Sequence, residues 1–244
     1  MPRPTRKTLR RLLRRIDGFI FPPLCIVCDT PRPDNDRWLC TSCNSTLCAL
    51  VINRDGCPRC SQNRAFRTCA CDVAWDHPFS RIRSFVDYND TTRSIMHQIK
   101  YQGKRGLAEY VGRLCGSHAD MAEYANSIVV PIPLHWQRLW KRGYNQAEWF
   151  ARGLFAGVPG ITLTTGILKR VKSTRTQTKL DRSERRSNLS GAFRIAATGA
   201  ATINGKRVIL VDDVITTGAT TAAATAVLLE NGCRDVQVMS FARD

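Results

Sequence analysis

The sequence predicts an α/β protein in which a domain built on a parallel sheet follows a small cysteine-rich module. From about residue 80 onward, short apolar runs alternate with helical patterns, as expected for parallel strands joined by helices. A turn rich in threonine and glycine directly follows one of these runs. Nine of the eleven cysteines lie between Cys25 and Cys71, most of them in closely spaced pairs.

The composition changes along the chain and predicts three segments. Residues 1–24 have a basic helical pattern, residues 25–72 hold the cysteines, and residues 80–244 carry the α/β pattern. In the first segment, Leu and Ile recur at helical spacing with Arg on the other face. Such a helix could dock on the protein's own surface, contact nucleic acid or a membrane surface, or serve as a transit peptide. The sequence leaves these alternatives open.

Apolar periodicity gives the elements of the third segment. The predicted strands are Arg81–Tyr88, Ile128–Val130, Val208–Val211 and Val236–Phe241. The predicted helices are Thr91–Tyr101, Leu107–Ala122, Gln146–Phe155 and Ala219–Glu230. A strand–helix–strand order of this kind indicates a parallel sheet.

The formal net charge is +17. Such a surface attracts polyanions: nucleic acid, anionic lipid or phosphorylated small molecules. Arg and Asp interrupt Leu9–Ile20, which therefore lacks the apolar run of a secretory signal peptide, and no stretch is apolar enough to span a bilayer. The sequence predicts a cytoplasmic protein without a membrane span, in which the cysteines stay reduced.

The threonine- and glycine-rich turn lies between the strand Val208–Val211 and the helix Ala219–Glu230, and Asp212 and Asp213 stand at its start. In an open parallel sheet, ligands bind beyond the carboxyl ends of the strands, and a helix start offers unpaired N–H groups to a phosphate. Gly218 lets the backbone turn sharply and approach a ligand closely. Two carboxylates would repel a phosphate, so we expect them to face ribose hydroxyls and a hydrated Mg²⁺.

This pattern of four apolar residues, two acids, an apolar residue and Thr-Thr-Gly-Ala-Thr resembles the phosphoribosyl pyrophosphate motif of type I phosphoribosyltransferases. The resemblance implies that Asp212 and Asp213 hold the ribose hydroxyls. It also implies that the 5′-phosphate is held by Thr216, Thr217, Gly218, Ala219 and Thr220. The turn is not the P-loop of nucleoside triphosphatases, since no Gly-Lys-Thr/Ser follows, and the GxGxxG dinucleotide fingerprint is absent.

Basic residues stand where they could close over such a ligand. The second predicted strand would bring Arg142 to the same sheet edge as the turn, where it could clamp a pyrophosphate with two parallel hydrogen bonds. Lys169–Arg186 is crowded with basic and hydroxyl residues and predicts a loop that closes over a polyphosphate. This loop would contribute Arg170 and Arg175 to ligand binding.

Four cysteine pairs in the second segment have the spacing of metal ligands. Eight thiolates suffice for two tetrahedral Zn²⁺ sites. Pairing in sequence order gives one site from Cys25, Cys28, Cys40 and Cys43 and a second from Cys57, Cys60, Cys69 and Cys71. Interleaved pairing, or a redox role for one pair, is the alternative. Bound metal would fold a segment that has few apolar residues of its own.

Further matches along the chain resemble the ComF family, whose bacterial members include DNA-uptake proteins. The matching residues are Phe21-Pro22-Pro23 with Cys25 and Cys28, Ile99-Lys100-Tyr101 with Gly103, Val130–Leu134, Arg142–Gln146, Thr176-Gln177, Arg182, Arg185, Asn188-Leu189, Ala192-Phe193 and the turn after Asp213. The resemblance implies a phosphoribosyltransferase-like domain, zinc, a cytoplasmic location and Lys100 among the ligand contacts. Cys69-x-Cys71, where the family has CxxC, departs from the pattern.

Three functions are compatible with these features. The first is single-stranded DNA binding in DNA uptake or natural transformation, with a phosphoribosyl pyrophosphate site and other DNA-uptake proteins as candidate partners. The second is an active Mg²⁺-dependent phosphoribosyltransferase on an unidentified acceptor, in which Asp212 and Asp213 orient the ribose and Arg142 stabilises the leaving pyrophosphate. The third is a non-catalytic sensor of phosphoribosyl pyrophosphate or a nucleotide.

Three aromatic residues near the basic ones, Trp136, Trp140 and Tyr144, have two interpretations. They could stack on the bases of a nucleic acid, or they could pack in the core.

Overall fold

The computed structural model describes residues 23–32, 38–52, 56–62, 69, 71, 77–172 and 191–244. The predicted helix of the first segment and most of the predicted basic loop lie outside these residues. The chain divides into two compact units, residues 1–49 and 50–244. The second cysteine group therefore belongs to the same unit as the sheet, and the predicted limits 1–24, 25–72 and 80–244 stay a prediction.

The first helix begins in the first unit, and the other helices and the strands lie in the second. The described helices are α1 (Thr41–Ile52), α2 (Asp90–Tyr101), α3 (Arg105–Ser117), α4 (Trp136–Arg142), α5 (Gln146–Leu154), α6 (Gly199–Ile203) and α7 (Ala219–Glu230), with a 3₁₀ turn at Ala122–Tyr124. The described strands are β1 (Arg81–Asp87), β2 (Ile128–Pro131), β3 (Thr162–Leu163), β4 (Leu168–Arg170), β5 (Phe193–Ile195), β6 (Arg207–Ile215) and β7 (Asp235–Arg243). None of these described helices combines the length and apolarity needed to cross a membrane.

Within the described residues, the main sheet has five strands in the order β1-β7-β6-β2-β3, and every neighbouring pair is parallel. The predicted parallel α/β fold is confirmed. Strand β6 lies at the centre, and Val208, Ile209, Leu210 and Val211 are fully buried there. A parallel strand covered on both faces needs such a continuous apolar run. Strands β4 and β5 form a separate antiparallel pair.

Two element boundaries differ from the prediction by more than two residues. Strand β6 continues to Ile215, so the acid pair lies inside the strand, because its pairing with β7 extends beyond the apolar run (Asp212 is opposite Ser240). Helix α3 ends at Ser117 instead of Ala122, since the Asp120 carboxylate accepts a hydrogen bond from the backbone N–H of Ala122 and starts a new turn. Helices α1, α4 and α6 and the β4–β5 pair were not predicted.

Helices α3 and α5 cross at glycines. A Cβ added to Gly153 would lie 2.0 Å from the Glu109 carbonyl oxygen, and one added to Gly112 would lie 2.2 Å from the Phe150 carbonyl oxygen. Contact this close between backbones requires glycine on both helices. The start of α5 is fixed beside the end of β2 by another contact, because the Asn145 side-chain amide donates to the Ile132 carbonyl at 2.9 Å.

Candidate ligand site and cysteine centres

The acid pair, near the carboxyl end of β6, is held by a partly buried ion pair and by the backbone. The Lys100 ammonium, at the end of α2, lies 3.0 Å from Oδ2 of Asp213. The backbone N–H of Asp213 donates to Asp212 Oδ1 and that of Val214 donates to Asp213 Oδ1, both at 2.8 Å. Lys100, assigned to the ligand only through the family resemblance, is thus the partner of one acid.

The two carboxyls ionise at different pH. Burial raises the pKa of Asp212 to about 8, and the negative charge of Asp213 adds to this effect. Burial acts on Asp213 in the same direction, but the Lys100 ammonium and its hydrogen bond outweigh it and hold the pKa of Asp213 below its usual value. The pair therefore favours a single negative charge, on Asp213, because two adjacent carboxylates repel each other.

The threonine- and glycine-rich turn connects β6 to α7 as predicted. Gly218 has φ +75° and occupies the N-cap position of α7, so the left-handed backbone there favours glycine. The Thr217 hydroxyl accepts a hydrogen bond from the Ala219 N–H at 3.4 Å, and the Thr221 hydroxyl donates to the Gly218 carbonyl at 2.8 Å. Thr216 is exposed. The turn thus leaves N–H groups of the first α7 turn available to an anion.

The chain before β1 forms a wall behind this turn that the sequence did not reveal. A Cβ on Gly218 would lie 3.5 Å from His77 Cε1 and 3.7 Å from Phe79 Cζ. The His77 and Phe79 rings are stacked, with centroids 4.8 Å apart. A Cβ at Gly218 would make ordinary van der Waals contact with these rings, so the left-handed backbone, and not a lack of space, favours glycine here. Nothing in the spacing of the sequence signals that residues 77–79 meet the turn.

Several cations surround the acid pair. Arg142, at the end of α4, donates to the Gln146 side chain and lies close enough to Lys100 to oppose the charge on its ammonium. Arg170 is half-buried against the Phe193 ring, with its guanidinium carbon 5.5 Å from the ring centroid. Burial lowers the pKa of Arg170, the charge of Arg138 lowers it further, and Asp212 opposes both. Arg138, which the sequence analysis did not single out, thus joins this cluster.

One prediction about the basic segment changes. Lys169 and Arg170 lie in strand β4, paired with β5, and not in a loop, because apolar neighbours such as Leu168 anchor them to the core. Arg175 lies outside the described residues. Of the three aromatic residues, Tyr144 is a core residue whose hydroxyl donates to the Ile99 carbonyl.

The cysteines form two groups in sequence order and are not interleaved. The four sulfurs of Cys25, Cys28, Cys40 and Cys43 all lie within 4.8 Å of one another, and so do those of Cys57, Cys60, Cys69 and Cys71. In a tetrahedral thiolate site, Zn–S bonds of about 2.3 Å place the sulfurs roughly 3.8 Å apart. Both groups fit a metal ion, and the shorter Cys69-x-Cys71 spacing does not prevent convergence.

The first CxxC of each group has the same backbone turn. The N–H of Cys25 donates to the Thr30 carbonyl at 2.9 Å, and the N–H of Cys57 donates to the Gln62 carbonyl at 2.8 Å. The residue after each second cysteine, Asp29 or Ser61, has φ +55°. Such a turn aims two sulfurs at one point, which explains why the spacing recurs.

The second of these turns is fixed to the sheet. The Arg59 carbonyl accepts a hydrogen bond from the N–H of Ile82 on β1 at 2.8 Å, and the Ser61 hydroxyl donates to the Ile82 carbonyl at 2.9 Å. A metal at this site would therefore also support the edge of the sheet.

The thiols of each group cannot all ionise without a cation. In the first group, hydrogen bonds with Thr30 lower the pKa of Cys28 to about 6. Burial, and then the bond with Cys28, raise the pKa of Cys43 well above its usual value. In the second group, backbone hydrogen bonds outweigh burial and lower the pKa of Cys57 to about 6, while burial and Cys60 raise that of Cys71. A divalent metal would remove this conflict.

We expect each group to bind one Zn²⁺, so elemental analysis of the purified protein should find two per chain. Cys25→Ser should reduce the content to one and leave residues 50–244 folded. Cys57→Ser should also reduce it to one, and should destabilise the sheet because its turn is bonded to Ile82. Cys48→Ser, outside both groups, is the control and should keep both ions. Zinc-free protein from a chelator-free purification would contradict this assignment.

The Lys100–Asp213 pair should make stability depend on pH. Lys100→Met leaves a buried carboxylate without its cation, with an expected loss of about 1–3 kcal/mol near neutral pH. Because Lys100 lowers the pKa of Asp213, its stabilisation is full above the unfolded-state pKa of aspartate and disappears as pH falls through the folded-state value. Urea unfolding should therefore show a smaller loss in acid, and Lys100→Met with Asp213→Asn should regain most of it. An equal loss at both pH values would refute this role.

Comparison with solved structures gives partial likenesses. The allosteric regulatory enzyme of purine biosynthesis matches with a TM-score of 0.38 and 19% identity, over 60% of this chain and 30% of that chain. A purine phosphoribosyltransferase from Pyrococcus horikoshii matches with a TM-score of 0.27 and 15% identity, over 59% of this chain and 82% of that chain.

Comparison with known sequences is more extensive, although no family model matches the chain. The DNA utilization protein YhgH of Salmonella typhimurium is 30% identical over 229 residues, which cover 91% of this chain and 97% of that protein. Competence protein F of Haemophilus influenzae is 28% identical over 90% of this chain and 96% of its own length. Competence protein ComFC of Streptococcus pneumoniae is 27% identical over 86% and 90%. The chain belongs to the ComF family.

Proposed function

We propose that this protein acts in DNA uptake or natural transformation by binding single-stranded DNA beside a phosphoribosyl pyrophosphate site. One observation carries the ligand assignment: a buried acid pair, an open helix start and several cations meet at one edge of the sheet. The carboxyls suit hydroxyl groups, and the N–H groups and cations suit phosphates. A phosphorylated ribose presents both chemistries on one small molecule.

The ligand can be placed on these groups in one orientation. The 5′-phosphate would lie on the turn Thr216–Thr220 at the start of α7, where N–H groups point outward. The ribose hydroxyls would face Asp212 and Asp213, and the pyrophosphate would face Arg142. Mg²⁺ bound with the ligand would neutralise pyrophosphate charge, and the acid pair offers carboxylate oxygens on that side. A carboxylate at Asp212 accepts hydrogen bonds from ribose hydroxyls, so ligand binding would favour release of the Asp212 proton to solvent.

Charge and kinship support the DNA assignment. The net charge of +17 favours a polyanion, and relatives over nearly the whole chain are named for DNA utilization or competence. Single strands suit a protein with exposed aromatic rings among cations. We place the protein in the cytoplasm, with other DNA-uptake proteins as candidate partners.

Phosphoribosyltransferase activity is the second candidate function. It is favoured by the acid pair in β6 and by the turn that directly follows this strand. Here Arg142 would stabilise the charge that develops on the departing pyrophosphate. Pyrophosphate release from phosphoribosyl pyrophosphate, assayed across nucleobase and amine acceptors, would support this candidate. Binding without release with any acceptor would instead support the third function, a sensor.

Replacing both acids tests the ribose site. Asp212→Asn with Asp213→Asn removes charge-assisted hydrogen bonds worth roughly 1.5–3 kcal/mol each, so affinity for phosphoribosyl pyrophosphate should fall by about two to four orders of magnitude. Calorimetry measures this, and thermal unfolding checks the fold. Asp235→Asn, at the opposite end of the sheet beside Arg207, is the matched control and should bind like the parent. A parent without affinity for this ligand or any ribose 5-phosphate would remove the proposed site.

Salt titration tests the DNA assignment. Lys169→Ala, Lys172→Ala and Arg175→Ala together should weaken single-stranded DNA binding, and should reduce the slope of log affinity against log salt by about 0.7 per lost phosphate contact. Arg170 is left in place because its guanidinium packs on Phe193. Arg113→Ala, whose side chain is exposed on α3, is the control. A parent-like slope in the triple variant would exclude this segment from the DNA contact.

A further inference from the structure

Helix α4 exposes large aromatic rings that the protein core does not use. Trp136 is 66% exposed and Trp140 is 83% exposed. They are four residues apart, so they lie on the same face of the helix. Tyr101, at the end of α2, is 69% exposed. Exposing three large rings so fully is unfavourable for a protein surface unless a partner covers them.

The three rings adjoin the ligand site. The guanidinium carbon of Arg142 lies 6.0 Å from the centroid of the Tyr101 ring, and this contact connects the end of α4 to the end of α2. Tyr101 follows Lys100, whose ammonium is paired with Asp213. The exposed rings are therefore continuous with the edge of the sheet that holds the acid pair.

The charges on this face indicate what covers it. Helix α4 has the sequence Trp-Gln-Arg-Leu-Trp-Lys-Arg and contains no acidic residue. Its three cations are Arg138, between the two tryptophans, and Lys141 and Arg142, after the second. Aliphatic side chains, which dominate the centre of a protein–protein contact, are represented on this helix by Leu139 alone. Flat rings among cations suit a partner that has aromatic faces on an anionic backbone, as single-stranded nucleic acid does.

We propose that Tyr101, Trp136 and Trp140 form a stacking face for consecutive bases of single-stranded DNA, with Arg138 and Lys141 holding its phosphates. The proposal rests on the DNA-binding function proposed above and adds the surface and the chemistry of recognition. Stacking accepts any base, because every base has an aromatic face. The face should therefore bind strands of any sequence, and its contribution should depend on the presence of bases.

Comparing the parent and Trp140→Ala on two strands separates the contribution of base stacking to the affinity from that of charge. The probes are a labelled oligothymidylate of about twelve nucleotides, within the span of single-strand sites, and an abasic strand of equal length. Trp140→Ala should weaken oligothymidylate binding by about five- to hundredfold, leave abasic-strand binding unchanged and keep the salt slope. Trp140→Phe retains a ring and should bind nearly like the parent. Trp136→Ala should behave like Trp140→Ala, and fluorescence anisotropy gives all the affinities.

The outcomes separate this proposal from the function on which it rests. If the parent binds both strands and Trp140→Ala binds each as the parent does, the stacking face is wrong while DNA binding stands. An equal loss on both strands would also overturn stacking, since it would show a general change in the surface. If the parent binds neither strand, the DNA-binding function itself is wrong and the rings mark a protein contact instead. Thermal unfolding should show parent-like stability for all three variants, because the rings are exposed.

Discussion

Parallel pairing of the strands is the constraint on which the site depends. Strands β2, β6 and β7 run side by side in one direction, and β1 is joined to β7. The segments that follow them therefore emerge at one edge. Helix α2 brings Lys100 there after β1, α4 brings Arg142 after β2, and the threonine- and glycine-rich turn follows β6. Residues more than a hundred positions apart in the sequence thus meet around Asp213.

At this edge the charges of the acids and of the cations offset one another, and a ligand could take over some of these pairings. Two adjacent carboxylates repel each other, and the Lys100 ammonium offsets this by pairing with Asp213, while burial and the charge of Asp213 raise the pKa of Asp212. Arg138 and Arg170 add positive charge close to Asp212. Such a site favours a molecule whose hydroxyls bind the acids and whose phosphates bind the cations. Each of these ligand groups then takes the place of a water molecule or a protein partner and restores the interaction that was lost.

The cysteines have a different role, because the segment that contains them has few apolar residues from which to build a core. Two groups of four sulfurs use the same backbone turn, one in each compact unit. In the second unit the turn is bonded to Ile82 on β1, so the thiol cluster and the sheet edge stabilise each other. The segment that leads from this cluster to β1 also places His77 and Phe79 behind Gly218.

The sequence by itself determined the parallel α/β class, the acid pair followed by a phosphate-type turn, and the four closely spaced cysteine pairs, whereas their grouping in sequence order came from the structure. These features are local: apolar runs, a glycine that needs a left-handed backbone, and pairs of thiols within one turn all act over a few residues. Only the tertiary structure decided that Lys100 binds Asp213, that Arg138 and His77 border the site, and that Tyr144 is buried while Tyr101 is exposed. Those outcomes depend on contacts between segments distant in sequence, and no local pattern specifies which side chain another element will cover.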